Sequence, residues 1–240
     1  HLRQTRALDT GHLPPHVDRD YVFLHTYPTG PGFTKPGAKA AIKQGMEDGV
    51  ALVNFVGHGS PYQLADEKVL LESDIGALAN APRFPVFIAA SCDVGKFSDP
   101  TVPSLGERLL TSSTGGAVGV ISATELAYSN QNATLNQLLY DGFFRRDAVS
   151  CRYHVPVAAA LLETKAGSTN GQKYQLMGDA ATCVALPRLW VELALTDSAG
   201  LPVTQVRRGQ RLRFSGRVVE CPGGEAVPLE GAVAMRIEDS

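Results

Sequence analysis

No apolar run in these 240 residues approaches the roughly 20 that a bilayer-spanning helix requires. An excess of either charge is also missing, with 22 Lys and Arg against 24 Asp and Glu. With a formal net charge of −2 and a pI near 6.3, neither nucleic acid nor an anionic membrane is an expected partner. Internal repeats and low-complexity stretches are missing, which excludes a solenoid or a biased linker. Cysteine is sparse. Cys92, Cys151, Cys183 and Cys221 lie far apart without a C-x-x-C pair, against a zinc site or a thioredoxin-like motif. Up to two disulfides are possible, but a free Cys92 leaves three cysteines that cannot all pair with one another, and none is assigned. The chain opens on His1-Leu2-Arg3-Gln4, with no Met and no signal-peptide pattern. It is read as a processed product or an excerpt whose compartment is not legible from its start.

What is present is a globular composition, 44% hydrophobic and 19% charged, long enough for one large or two small domains. Residues 1–19 are polar, with Gly11, Pro14 and Pro15, and read as a tail or the remnant of a missing element. Tyr21–His25 reads as a strand. Pro36 in a first turn and Gly49 as a stop bound a helix with Ala38, Ala41, Ile42 and Met46 on one face. Ala51–Val56 and Val86–Ala90 read as strands, with a helix at Ile75–Ala81 between them. Ser104-Leu105-Gly106-Glu107 fits a capping box opening a helix through Thr111. Ala117–Ile121 is apolar on both faces, the pattern of a strand covered from both sides. Leu135, Leu138, Leu139 and Phe143 mark an amphipathic helix, and Pro156–Lys165 another. After Pro187 the period changes to two, with strands expected at Trp190–Leu195, Arg211–Val219 and Ala232–Ile237. The chain therefore divides into 1–19, an α/β segment 20–187 and a short all-β module 188–240.

The chemistry sits at two strand ends. Val53-Asn54-Phe55-Val56 runs into Gly57-His58-Gly59-Ser60, and Val86–Ala90 runs into Ser91-Cys92-Asp93. A strand–helix–strand unit lays the two strands parallel, with both C-terminal ends on the edge where open α/β sheets place their sites. An imidazole beside a thiol favours the nucleophilic thiolate and can later protonate a leaving amine. The glycines flanking His58 let the chain turn tightly. The backbone N–H groups of Gly59 and Cys92 are the expected oxyanion hole. Singly, each motif is weak: a strand-end Cys is most often a small buried hydrophobe. Their joint placement on consecutive strands carries the reading.

These residues reach a resemblance. Asn54–Ser60 and Pro85–Cys92 are similar to the gingipain family of cysteine peptidases, of the caspase-like clan. Further matches follow in order: Phe97-Ser98-Asp99-Pro100, Ser104–Glu107, Gly115-Gly116-Ala117-Val118, Leu126-Ala127-Tyr128-Ser129, Leu135-Asn136 and Met177-Gly178-Asp179. Within the family the pattern resembles the sortase-like members associated with type IX secretion. The resemblance covers roughly residues 20–187. It implies a caspase-like three-layer α/β sandwich with a mostly parallel sheet, followed by an immunoglobulin-like β domain that is partial here. It implies a cysteine endopeptidase, or a sortase-like transpeptidase, with His58 as general base and acid and Cys92 as nucleophile. It further implies protein or peptide substrates, export to the cell envelope or medium of a bacterium, and no cofactor for the chemistry, although structural calcium occurs in the family. Two departures stand out. The family's domain begins before the segment matching residue 20, so at least one strand and a helix are expected to be absent, with the residue that orients the His. Gly178-Asp179-Ala180 stands where the family has Gly-Asp-Pro.

Ser122, Thr124 and Glu125 follow the next strand and are expected to line a substrate pocket beside Cys92. Glu125 would either select a basic side chain or stand as a solvated loop carboxylate. His25 is a second histidine expected at the same edge, with a structural role favoured. Asp93, Asp99 and Asp179 read as turn residues. Gly115–Gly119 precedes a strand rather than following one and is no nucleotide loop. No metal ligand is assigned, and Cys151, Cys183 and Cys221 receive no catalytic role. A reading from another class remains: a catalytically silent scaffold that binds proteins within a larger surface protein.

Overall fold

The structure, a computed structural model, describes residues 1–207 and 209–228. They group into two units, one of His1–Arg145 with Tyr153–Leu186, the other of Arg146–Arg152 with the chain from Pro187 onward. The first unit runs α1 (Leu2–Gly11), α2 (Pro36–Asp48), β1 (Leu52–Val56), β2 (Gln63–Leu64), β3 (Leu70–Leu71) and α3 (Glu72–Ile75). It continues with β4 (Val86–Ala90), α4 (Leu105–Thr111), β5 (Gly119–Ala123), α5 (Ser129–Phe143), α6 (Val157–Lys165) and β6 (Tyr174–Gly178).

The main sheet has the order β1-β4-β5-β6, with β1, β4 and β5 parallel and β6 antiparallel. This is the mixed α/β fold with a mostly parallel sheet that the sequence implied. All five residues of β4 and of β5 are buried, because helices cover both faces and each strand is apolar or small throughout. Phe87, Ala89 and Val120 pack in one layer with Ala38 and Met46 of α2, Ile75 of α3, and Leu105 and Leu109 of α4. Val86, Ile88, Ile121 and Ala123 pack in the other with Leu8 of α1, Leu135, Leu139 and Phe143 of α5, and Ala160 and Leu161 of α6. Alternation along the strands separates the two cores.

The helix signals are seen at work. Gly49 caps α2 in the left-handed conformation, φ 94°, its N–H donating to Met46 O at 3.1 Å. At α4 the Ser104 N–H donates to Glu107 Oε2 at 2.8 Å, while the Glu107 N–H donates to Ser104 Oγ at 3.4 Å.

Several expectations are corrected. Tyr21–His25 is not a strand; it leads into a 3-10 turn at Leu24–Thr26. Its alternation instead packs Val22 and Leu24 against the α2 core while the Tyr21 and Phe23 rings stack at 5.3 Å. The helix expected at Ile75–Ala81 is one turn, Glu72–Ile75, set earlier because the Asp74 carboxylate accepts the Leu71 N–H at 2.8 Å and pairs with Lys39 at 2.7 Å. β5 begins at Gly119 rather than Ala117. The Ala117 N–H donates to Leu109 O and the Val118 N–H to Pro85 O, which delays entry into the ladder. Residues 2–11 form a helix anchored by buried Leu8, and β6 is an edge strand that the sequence reading did not include.

The second unit holds the antiparallel pair β7 (Trp190–Thr196) and β8 (Arg213–Val219), in register from Trp190↔Val219 to Thr196↔Arg213. The Arg146 guanidinium lies 4.0 Å over the Trp190 ring. Cys151 and Cys221 form a disulfide where none was assigned, leaving Cys92 and Cys183 free. The strand expected at Ala232–Ile237 lies outside the described residues.

Candidate active site

The register of β1 against β4 pairs Val56 with Ala90, so His58 and Cys92 each stand two residues beyond aligned partners on adjacent parallel strands. Adjacent strands lie about 4.8 Å apart. Both side chains belong to the alternation that turns toward α1 and α5, since Leu52 on β1 and Val86 and Ile88 on β4 pack in that core. His58 is exposed, and its ring meets the His1 ring edge-on at 5.7 Å.

Both loops are tied down. After β1 the chain folds back on β2, the Ala65 N–H donating to His58 O at 2.8 Å and the Ser60 N–H to Gln63 O at 3.0 Å. Gly59 lies so close to the other loop that a Cβ would strike Ser91 Oγ and stand 2.8 Å from Val94 Cγ2. The first turn of α4 holds both loops by their carbonyls: the Leu105 N–H donates to Pro61 O at 2.6 Å and the Gly106 N–H to Val94 O at 2.9 Å. The capping box legible in the sequence thus bears directly on the site. Among the described residues, the N–H groups of Gly59 and Cys92 donate no loop or turn hydrogen bond.

Cys92 is half-buried with a free thiol. Its Sγ accepts the Ala127 N–H at 3.3 Å and donates toward Ala127 O at 3.5 Å. Asp93, next in the chain, sits in the left-handed region at φ 56°, a conformation Asp tolerates better than most residues. Beneath the loop, Tyr174 is fully buried and donates to Ser91 O at 3.4 Å. Burial pushes its hydroxyl well above the ordinary tyrosine range, with a smaller push from nearby Cys92, so it stays protonated.

The pocket residues separate. Ser122 is fully buried within β5, its Oγ against Gly95, so it is not open to a substrate. The Thr124 N–H and hydroxyl both donate to Lys173 O, at 3.0 and 3.1 Å. The Glu125 carboxylate is largely exposed but faces Lys173 Nζ at 3.8 Å, which offsets its charge. His25 lies on the 3-10 turn, off the sheet edge, and shares with His58 a cavity of about 950 Å³ beside the open edge of β1. Asp99 accepts the Thr101 N–H and hydroxyl at 2.9 and 2.6 Å, and Asp179 the Ala181 N–H at 2.9 Å; both make turns.

Two polar networks escaped the sequence reading. Asn54 of β1 donates to Asn136 Oδ1 at 3.2 Å and to the Tyr140 hydroxyl at 3.0 Å, and accepts from Asn136 Nδ2 at 3.2 Å. Asn170, fully buried, bonds both the N–H and the C=O of Tyr128. The available signal was an Asn inside an apolar strand run, and Asn132 and Asn136 one turn apart on the apolar face of α5. Among the described residues no cluster of three or more His, Cys, Asp or Glu side chains could hold a metal ion. No described helix is long and apolar enough to cross a membrane.

The sequence pattern that defines peptidase family C25 matches residues 2–185. Among solved structures, the chain is similar to the complex of the Porphyromonas gingivalis RgpB pro- and mature domains, at 17% identity and TM-score 0.52, covering 79% of this chain and 55% of that one. It is also similar to a structure described as that of a protease, at 15% identity and TM-score 0.51, covering 73% of this chain and 56% of that one. The chain thus spans about half the length of these solved chains, and the likeness concerns the fold. No curated protein matches.

Proposed function

The chain belongs to peptidase family C25, and from that premise we propose that it is a cysteine peptidase that attacks peptide carbonyls with Cys92. One observation carries the reading: His58 and Cys92 follow in-register positions of adjacent parallel strands, on the same alternation of the sheet. His58 takes the thiol proton. The Cys92 sulfur then bonds to the carbonyl carbon, and the tetrahedral oxygen receives the N–H groups of Gly59 and Cys92. As the C–N bond breaks, the proton on His58 goes to the leaving amine, and a thioester remains on Cys92. Water ends the cycle as hydrolysis; an amine nucleophile ends it as ligation. Thr124 and Glu125 remain the proposed pocket residues, and Lys173 beside Glu125 disfavours selection of a basic side chain by charge alone. Protein or peptide substrates and an exported or envelope location follow from the family resemblance.

The test incubates the protein with a peptide mixture and reads products and the Cys92-bearing peptide by mass spectrometry. Cleavage or ligation with an acyl adduct on Cys92, lost in Cys92→Ala, is expected; turnover that survives Cys92→Ala overturns the assignment. The scaffold reading is favoured by one observation: both hydrogen bonds of the Cys92 sulfur go to Ala127 and none to His58. It predicts no turnover and a Cys92 labelling rate indifferent to His58.

A further inference from the structure

The sulfur of Cys92 is held by one residue, Ala127, through both of its backbone polar groups. Ala127 carries no side chain that could fix its own peptide. The next residue is fixed: Asn170 Oδ1 accepts the Tyr128 N–H at 3.3 Å, and Asn170 Nδ2 donates to Tyr128 O at 2.8 Å. The same Nδ2 donates to Asn132 Oδ1 at 2.7 Å, which orients the amide. Asn170 is fully buried, and its own carbonyl accepts the Lys173 N–H at 2.9 Å, closing the loop on which it sits. Lys173 Nζ adds a bond to Leu126 O at 2.6 Å, on the other side of Ala127. The Ala127 peptide groups are therefore clamped from both flanks, and among the described residues the only side chain they address is the Cys92 thiol.

We propose that Asn170 is a positioning residue for the nucleophile: it holds the Tyr128 N–H, which shares a peptide unit with the Ala127 carbonyl, and together with Lys173 on Leu126 O it fixes the Ala127 backbone so that its N–H meets the Cys92 sulfur. This rests on the reading of Cys92 as the nucleophile. A fixed N–H donor favours the thiolate over the thiol, so the clamp contributes to activation alongside His58. The Ala127 carbonyl holds the S–H of the resting thiol, keeping the sulfur in one place until the proton leaves.

The molecule contains its own control. Asn80, also fully buried, clamps a backbone position in the same way: its Oδ1 accepts the Gly116 N–H at 2.7 Å and its Nδ2 donates to Gly116 O at 3.0 Å. Gly116 precedes β5, at the end of the sheet opposite Cys92. A purely structural role would make the two asparagines equivalent.

The experiment measures iodoacetamide labelling of Cys92 between pH 5.5 and 9 in the full chain, with thermal unfolding recorded for each variant. Asn170→Ala is expected to slow labelling at pH 6.5 about tenfold and to move the profile to higher pH, since the Ala127 backbone is released on its Tyr128 side and its charge-assisted hydrogen bond to the sulfur weakens. Asn80→Ala is expected to stay within about twofold of wild type despite a similar loss of melting temperature. If Asn170→Ala does not fold, Asn170→Asp keeps the volume and the Tyr128 N–H bond but loses the donation to Tyr128 O, and should also slow labelling. Equal profiles in the Asn170 and Asn80 variants, or an Asn170 profile that follows wild type, overturn the proposal. The peptidase reading fails separately, through His58→Ala leaving the wild-type rate unchanged.

Discussion

Gly59→Ala is the sharpest probe of how the two site loops are fitted together. An added Cβ would strike Ser91 Oγ, stand 2.8 Å from Val94 Cγ2 and lie 3.2 Å from the Cys92 carbonyl. The Ser91 hydroxyl can rotate away. Val94 is fully buried and the Cys92 carbonyl is backbone, so one loop must move relative to the other. Overpacking of this kind costs about 1–3 kcal/mol. For a unit of this size, the middle of that range lowers the melting temperature by about 4–8 °C. The same shift separates His58 from Cys92, and misplacement by about 1 Å can cost on the order of a hundredfold in rate. Calorimetry would follow the unfolding transition, and alkylation of Cys92 would report the site. Gly45→Ala is the matching control: Gly45 lies inside α2 with open space at its Cβ position, so Ala should stabilise by about 0.5–1 kcal/mol and leave labelling unchanged. A Gly59→Ala protein with wild-type melting and labelling would refute the close fit of the loops.

Three further outcomes follow. Ser104→Ala removes the cap of α4 and should cost about 0.5–2 kcal/mol in urea unfolding, with slower Cys92 labelling because Leu105 and Gly106 hold both loops; a stability loss without any change in labelling would detach α4 from the site. Asn54→Ala strands Asn136 and the Tyr140 hydroxyl against an apolar core and should cost about 1–3 kcal/mol by the same measurement; a neutral result would mean the network adds nothing net. Asp99 is held below its ordinary value of 3.8 first by the Thr101 hydroxyl and then by the Thr101 N–H. The charged form is favoured in the fold, so this turn contributes above the unfolded value and is lost as pH falls through the lower folded one. Thr101→Val should return the Asp99 carboxyl upward in an NMR titration, and an unchanged midpoint would contradict the assignment.

Much of the fold was legible because its signals are local. The capping box, Pro36 with Gly49, and the unbroken apolar runs of β4 and β5 each dictate one element by nearby chemistry. The expected parallel pairing of β1 and β4 is present, although the helix expected between them is one turn, and the loops that carry His58 and Cys92 leave adjacent strand ends. What escaped depends on distant partners. Tyr21–His25 carries a strand pattern, but its alternate residues pack on a helix core and on each other, so no ladder forms. β6 is short and half-buried, and only its pairing with β5 makes it a strand. Ser122 follows the register of a core strand rather than its tip, because β5 enters the sheet two residues late. Asn170 shows its role only when Tyr128, Ala127 and Cys92 are brought together, across 42 residues from Asn170 to Tyr128 and 35 from Ala127 to Cys92. The Cys151–Cys221 pairing spans 70 residues, and spacing alone does not fix connectivity.

The peptidase reading stands on activation of Cys92 by His58. The most direct measurement is the pH profile of iodoacetamide labelling at Cys92, by peptide mass mapping, in wild type and His58→Ala. A working pair labels rapidly at pH 6.5, and His58→Ala slows that rate at least about tenfold while the two rates converge at high pH, where any thiol is ionised. Superimposable profiles, slow at neutral pH and rising only in the range of an ordinary thiol, would contradict the account.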